Sequence, residues 1–373
     1  MKIFLYIILG VLTLIIGFIC YFFIFFLQVP ELKISQETSE VKKIEIIDNW
    51  FTSLQEQYKF NGAVLFAKDG KALLAKGYGV TNHKRDIKLT ENSSLRLGSV
   101  SKQFTAAGIM LLKEKGEINY DDLVSKYISD FPYKAVTIRN LLNHVSGVPD
   151  IYIELAESNK ENIPILTNQI AVDLLIDEKR ETDTKPNKKF QYSNTNYIIL
   201  SRLIEVITEL SFEEYLKTEL FDPLGMKNTR VWNLKSEEKT FENKADDFSN
   251  IEGYPSAVEP TFLDGVAGDG AVFSSANDML IWNDFWYQNP LIKQTNLKEA
   301  FKKPILNNGD TSNYGFGWII TENGMRHNGR WLGAKTIIIR NTEKKTCIVI
   351  LDNSSNVFFD KIIEQLKTIA NNI

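Results

Sequence analysis

Runs with strand character lie toward the two ends of this chain and leave a long helical middle, and that distribution limits the fold more than any other feature. Near the start, Gly62-Ala-Val-Leu-Phe-Ala-Lys and Lys71-Ala-Leu-Leu-Ala-Lys-Gly77 flank Asp69-Gly70. An Asp-Gly pair between apolar runs is a hairpin signal, because both residues tolerate the positive φ of a tight turn. Strand patterns return at 317–321, 335–339 and 346–351, followed by a final helix from about Phe358 to Ala370. Between about Ser99 and Trp286 helical spacing dominates: Phe104–Lys115 closing at Gly116, Thr137–Asn143, Tyr197–Leu210 and Phe212–Leu220. The simplest arrangement is an α/β (α+β) fold. One antiparallel sheet is built from both ends of the chain and flanked by terminal helices, with an all-helical lobe inserted. The sheet lobe is expected at about 44–98 and 310–373, and the helical lobe at about 99–309.

Ahead of this body, Ile3 to Leu27 carry no charge. As a helix rising about 1.5 Å per residue the run reaches about 37 Å, more than the roughly 30 Å hydrocarbon core of a bilayer. The expectation is a transmembrane signal anchor over 1–28. A cleavable signal peptide has a shorter apolar region and small residues at the cut, whereas Phe22-Phe23-Ile24-Phe25-Phe26-Leu27 leads straight to Gln28. Lys2 precedes the span, which favours an inside N-terminus and an exported catalytic part. A polar linker at 29–43 then leads to an amphipathic helix around Ile44–Tyr58.

The 373 residues, 44% of them hydrophobic, suffice for one large two-lobed domain or for two of about 150 residues each. A formal net charge of −4 leaves no cationic field to attract a polyphosphate, so nucleic acid is not an expected partner. The three histidines, His83, His144 and His327, have no metal-ligand spacing, and no metal or other cofactor is expected. Cys20 falls in the apolar N-terminal run and Cys347 in a core strand pattern, so no disulfide is expected.

Three short segments carry chemistry. Ser99-Val-Ser-Lys102 sets a hydroxyl and an amine at i and i+3, neighbours on one helix face. Serine needs an adjacent base, and a desolvated lysine can lose its proton and serve, or can stabilise a neighbouring phenolate. The nearly uncharged Phe104–Leu112 that follows predicts burial of that helix. The same spelling recurs at Ser39 to Lys42 and Ser236 to Lys239, in polar surroundings and with no apolar helix expected behind either. Tyr192-Ser-Asn194 offers a phenol that can relay a proton and a carboxamide that can bind a substrate amide. Tyr287-Gln-Asn289 shares that spelling but ends a Trp-rich helix before Pro290, and reads as packing and turn. His327-Asn-Gly329 precedes the strand pattern at Lys335. There a glycine on an edge strand lets a substrate backbone lie close, and the histidine can donate a hydrogen bond or positive charge at the mouth of the site.

A Ser-x-x-Lys opening a buried helix, then Tyr-Ser-Asn, then His-x-Gly, in that order, resembles the serine β-lactamase and penicillin-binding superfamily, in its class C-like branch. Further text carries the resemblance, including Leu97–Thr105, Leu141–Gly147, Pro223–Met226, Gly268–Ser275 and Tyr314–Trp318. The resemblance implies Ser99 as acylated nucleophile, Lys102 as its activator and Tyr192 as proton relay. It makes Asn194 a substrate-amide ligand, and places His327 and Gly329 along the strand edge of the cleft. The backbone N–H groups of Ser99 and Arg330 become the oxyanion hole. His144 and Asp269 are expected to organise a helix end and a loop. Two departures stand out: His327 where many β-lactamases have Lys, and Asn328 where Thr or Ser binds the substrate carboxylate. They tilt the expectation away from antibiotic hydrolysis toward a peptidase, amidase or esterase, on a D-amino-acid peptide, cell-wall fragment or small ester. The competing expectation is a penicillin-sensing or scaffold domain of the same fold with no turnover.

Overall fold

The computed structural model describes residues 2–21, 28–35, 37–251 and 253–369. They fall into two compact units, one formed by residues up to 60 with those from 356, the other by 61–355.

In the first unit, α1 (Lys2–Tyr21) is apolar along its length, with Phe4, Leu14 and Phe18 exposed. Among the described residues no helix is long and apolar enough to cross a membrane. The expected span also takes in residues 22–27, which lie outside the described ones. Helix α2 (Glu40–Glu56) buries Ile47, Trp50, Phe51 and Leu54, the one-sided pattern that its sequence spacing predicts. The Trp50 indole donates to the Pro30 carbonyl at 2.9 Å, and Phe51 packs on Phe60 with ring centroids 4.9 Å apart. The C-terminal helix Phe359–Ile369 buries Ile362, Ile363 and Leu366.

The second unit is built on a six-stranded sheet. Its strands in chain order are β1 (Gly62–Lys68), β2 (Lys71–Tyr78), β3 (Leu95–Arg96), β4 (Arg230–Val231), β5 (Phe248–Ile251), β6 (Tyr254–Ala257), β7 (Val272–Ser274), β8 (Ile319–Ile320), β9 (Gly324–Trp331), β10 (Ala334–Asn341) and β11 (Thr346–Asp352). The large sheet runs β2-β1-β11-β10-β9-β8, antiparallel throughout. The expected hairpin turns at Asp69 and Gly70, both at positive φ. Strand β1 pairs with β11 from Gly62 opposite Asp352 to Lys68 opposite Thr346, so the two ends of the unit close one sheet.

The inserted lobe is not all-helical. Strands β3, β7 and β4 make a second sheet, and β5 with β6 a hairpin. These strands are two to four residues long, too short to show a period-two alternation. The helices that matter to the site are α3 (Lys102–Glu114), α4 (Ile138–Leu142), α5 (Tyr152–Ser158), α6 (Asn168–Glu178) and α7 (Asn194–Thr208). Every residue of α3 from Lys102 to Leu112 is buried, as its composition predicted. Phe104 stacks on Trp282 with centroids 4.0 Å apart, and the helix bearing Trp282, Ala276–Phe285, lies against β1 and β2. Helix α3 is thus held between the sheet-covering helix and α7, a rigid base for the residues at its start.

Candidate active site

Ser99 sits in the 3₁₀ turn Gly98–Ser101 that leads into α3, and the turn packs against β9. Two glycines permit that approach. Gly98 has φ +53, and a Cβ there would stand 2.8 Å from the Arg330 backbone nitrogen; a Cβ on Gly329 would stand 2.0 Å from the Leu97 carbonyl oxygen and 2.9 Å from the Ser99 nitrogen. Any side chain at either position would wedge the turn away from the strand. The Thr336 hydroxyl donates to the Leu97 carbonyl at 2.6 Å, and the Val272 N–H donates to the Ser101 hydroxyl at 3.0 Å, pinning the turn on both sides. The Arg330 backbone nitrogen is thereby brought close to the turn that carries Ser99.

Lys102 is fully buried. Its Nζ donates to Ser99 Oγ at 3.0 Å, to Asn194 Oδ1 at 2.8 Å and to the Asp269 carbonyl at 2.9 Å. Three oxygens thus meet the three N–H donors that an ammonium offers. The amine also faces the Tyr192 ring, 5.1 Å from its centroid.

Tyr192 lies in the loop before α7 with 36% of its surface exposed. Among the described residues its hydroxyl makes no hydrogen bond to Ser99 or Lys102; its ring face, not its oxygen, is turned to the amine. His144, just beyond α4 and at φ +54, shapes this loop. Its carbonyl accepts the Gln191 N–H at 2.8 Å, its Nδ1 accepts the Ser193 N–H at 3.3 Å, and its ring packs on Tyr192 with centroids 4.3 Å apart. Burial, and then the charge of Lys102, hold the His144 pKa well below its ordinary value, so the ring is neutral.

Asn194 is the first residue of α7 rather than part of the loop. Its Nδ2 donates to Asp150 Oδ2 at 3.0 Å while its Oδ1 accepts from Lys102, so both ends of the carboxamide are engaged. The other oxygen of Asp150 accepts the Thr195 N–H at 2.9 Å and the Thr195 hydroxyl at 3.1 Å. Asp150 therefore caps α7 from outside. Sequence reasoning missed it: it stands three residues past the motif-rich Leu141–Gly147 run, and a lone aspartate after Pro149 has no spelling of its own. Asp269 contributes its carbonyl to Lys102 and its carboxylate to the Tyr152 hydroxyl, 2.9 Å away. Burial raises the pKa of that carboxyl.

His327 is where the expected chemistry needs correction. It lies on β9 itself, 2% exposed, with Nδ1 2.7 Å from the Asn328 carbonyl and Nε2 2.9 Å from the Tyr314 hydroxyl. A carbonyl only accepts, so Nδ1 carries the proton and Nε2 receives the tyrosine's. Burial first, and then the charge of Lys102, push its pKa down to about 3. Of the two roles expected of it, a donated hydrogen bond or a positive charge, the low pKa disfavours the charge at neutral pH, and the Nδ1 proton goes to the Asn328 carbonyl. Tyr314 went unassigned in the sequence, although it opens the Tyr-Gly-Phe-Gly-Trp run.

Two cavities meet at Ser99, and Tyr192 and Arg330 line both. The smaller, 260 Å³, adds Asn194, Asp264, Asp269 and Arg96; the larger, 660 Å³, adds Phe190, Tyr314, Ile319, His327 and Asn328. Neither Lys102 nor Gly329 is among the residues that line these cavities; Gly329 faces the turn at Leu97–Ser99. The family model described as Beta-lactamase matches residues 47–368. The chain belongs to the beta-lactamase family. This beta-lactamase family chain is 37% identical over 317 residues to Penicillin-binding protein 4* of Bacillus subtilis (strain 168), covering 81% of this chain and 70% of that protein. It is 28% identical over 333 residues to Protein flp of Staphylococcus aureus (strain MW2), covering 84% of this chain but only 64% of that relative's length. The fold is shared with the solved D-amino acid amidase of Ochrobactrum anthropi SV3, at TM-score 0.71, 22% identity, and coverage of 90% and 98% of the two chains. Members of the beta-lactamase family are serine hydrolases.

Proposed function

We propose that this protein is a serine hydrolase that cleaves an amide or ester outside the cytoplasm through an acyl-enzyme on Ser99. The observation that carries the reading is the buried Lys102 amine 3.0 Å from the Ser99 hydroxyl at the junction of two cavities. A serine hydroxyl becomes a nucleophile when a neighbouring base takes its proton as it attacks. Lys102 is the activator, and the proton passes to the departing amine or alcohol by way of Tyr192, whose hydroxyl must turn toward the amine for that step because only its ring faces the amine now. The Ser99 oxygen bonds to the substrate carbonyl carbon. The oxyanion that forms is met by the N–H groups of Ser99 and Arg330, donors each worth about 10²–10³ in rate at such sites. Loss of the leaving group gives the ester, and water, activated by the same pair, releases the acid. Asn194 binds the substrate amide once the substrate displaces one of its present partners, and Gly329 serves the site by letting the Ser99 turn pack against β9. His327 acts as a neutral wall of the cleft through Tyr314.

An extracytoplasmic site fits the uncharged run from Ile3 to Leu27 as a membrane anchor with its N-terminus inside, and the similarity to a penicillin-binding protein. The hydrolase reading is tested with the full chain in detergent, a fluorophosphonate probe and a chromogenic ester, beside Ser99→Ala. Labelling and turnover that both vanish in the variant are expected. Labelling without turnover would favour a sensor, and neither would favour a scaffold.

A further inference from the structure

The two cavities at Ser99 differ in chemistry as well as size. Charged side chains, Asp264, Asp269 and Arg96, stand in the wall of the smaller. The larger is faced by Phe190, Tyr192, Tyr314 and Ile319, and its other lining groups are uncharged apart from Arg330, which lines both cavities. We infer that the larger cavity is the subsite for an uncharged, benzyl-sized apolar group attached to the scissile bond, and that it selects such substrates over those carrying a carboxylate there. This rests on the reading of Ser99 as nucleophile and adds the class of substrate.

Apart from Arg330, which lines both cavities, the cationic candidates nearest the larger one are already committed. His327 has both ring nitrogens engaged, by the Asn328 carbonyl and the Tyr314 hydroxyl, and its low pKa keeps it neutral. The Lys102 donors point to Ser99, Asn194 and Asp269 from behind the serine. A carboxylate entering between the aromatic rings would lose its water, with Arg330, which is exposed and shared with the smaller cavity, as the one charged lining group to meet it. An apolar ring entering the same space gains from the area it removes from water and from edge contacts with Phe190, Tyr192 and Tyr314. Phe190 and Tyr192 leave 42% and 36% of their surface exposed in a concave site beside the nucleophile, the kind of apolar surface that a ligand covers.

The test uses one acyl group, N-acetyl-D-alanyl, joined to benzylamine or to 4-(aminomethyl)benzoic acid. Binding is measured by titration calorimetry on the full-length Ser99→Ala protein, and turnover on the unaltered protein. The benzylamide is expected to bind at least tenfold more tightly than its carboxylated twin. Ile319→Lys, on the short and partly exposed β8, brings a cation to the cavity and should narrow or reverse that ratio. Equal or tighter binding of the carboxylated amide, no measurable binding of the benzylamide, or an unchanged ratio in Ile319→Lys would each overturn the assignment. Preferential binding with no turnover of either amide, and no fluorophosphonate labelling, would leave the subsite standing and remove the hydrolase reading.

Discussion

Lys42 and Lys102 each follow a serine by three residues at the start of a helix, yet they share little else. Lys42, in the first turn of α2, keeps 57% of its side chain exposed and pairs with Glu45 at 2.9 Å. Lys102, in the first turn of α3, is fully buried, makes no ion pair among the described residues, and donates to a hydroxyl, a carboxamide and a backbone carbonyl. Behind Ser39–Lys42 stands the amphipathic α2, which buries four large side chains on one face, and not a nearly uncharged helix buried along its length like α3. The difference is one of face. On α2 the serine and lysine fall on the solvent side, whereas α3 is buried all round. What gives a Ser-x-x-Lys segment its chemistry is desolvation of the amine next to the hydroxyl, and the spelling alone does not supply it.

The comparison is broken most directly at Lys102. Lys102→Met keeps the length and apolar stem of the side chain while removing the amine, and acylation of Ser99 should slow by about 10²–10⁴-fold, the usual worth of a positioned proton-transfer group. Stopped-flow labelling by the fluorophosphonate, with circular dichroism to confirm the fold, measures it. A variant that retained more than a tenth of the rate would mean that burial of this amine is not what activates the serine.

A second variant asks whether the amine's surroundings matter as much as its burial. Asp150 holds the Asn194 carboxamide with its oxygen toward Lys102 and caps α7 at Thr195. Asp150→Ala should reduce kcat/KM about tenfold through misplacement of Asn194, and lower stability by about 0.5–2 kcal/mol as a lost helix cap. Urea denaturation separates the two effects, and rescue of activity by Asp150→Asn would identify hydrogen bonding, not charge, as the positioning force.

How much of this was legible in the sequence follows the same divide. The sheet closed by β1 and β11, the Asp69-Gly70 turn and the buried α3 were readable, because each rests on a local pattern of apolar residues or a turn pair. So was Tyr287-Gln-Asn289 as a turn: Asn289 Oδ1 accepts the N–H groups of Leu291 and Ile292, both at 2.8 Å. The short strands β3 to β7 were not readable, since two to four residues carry no period. At the site, the motif residues could be named in advance, but the partners that orient them could not. Asp150 acts on Asn194 across 44 residues of chain, and Tyr314 reaches His327 from outside the His-Asn-Gly motif. The charge state of His327 was likewise invisible, being set by burial and by Lys102.

That last point yields a pH test. A buried lysine should leave an electrostatic mark on its neighbours that an exposed one does not, and both His144 and His327 are depressed first by burial and then by Lys102. With a folded pKa of about 3 for His327 against about 6.5 in the unfolded chain, the unfolded state binds more protons between those values. Stability contributed by the neutral ring is therefore complete above about pH 6.5 and is lost as pH falls toward about 3. The urea midpoint of the unaltered protein should drop between pH 7.5 and pH 5, and His327→Gln should show a smaller drop over the same interval. Activity should show no inflection from either histidine between pH 6 and pH 8. A histidine inflection there that His327→Gln removed would overturn the neutral assignment.

The smallest expected effect is the most exacting for the comparison itself. Lys42→Ala deletes a lysine with the same spacing from a serine, in a pair with Glu45 of the exposed kind that is worth about 0–1 kcal/mol because water and salt screen both charges. Acylation of Ser99 and kcat/KM should stay within about twofold of the unaltered protein, and the fluorophosphonate should label Ser99 and not Ser39. Peptide mapping of the labelled protein reads the second point directly. If Ser39 took up the probe, an exposed serine and lysine at this spacing would be sufficient for nucleophilic activation, and the weight placed on the dry, three-oxygen setting of Lys102 would be misplaced. The contrast in surroundings argues otherwise: around Lys42 the charge is already satisfied by solvent and by Glu45, which leaves the amine no reason to exchange a proton with Ser39.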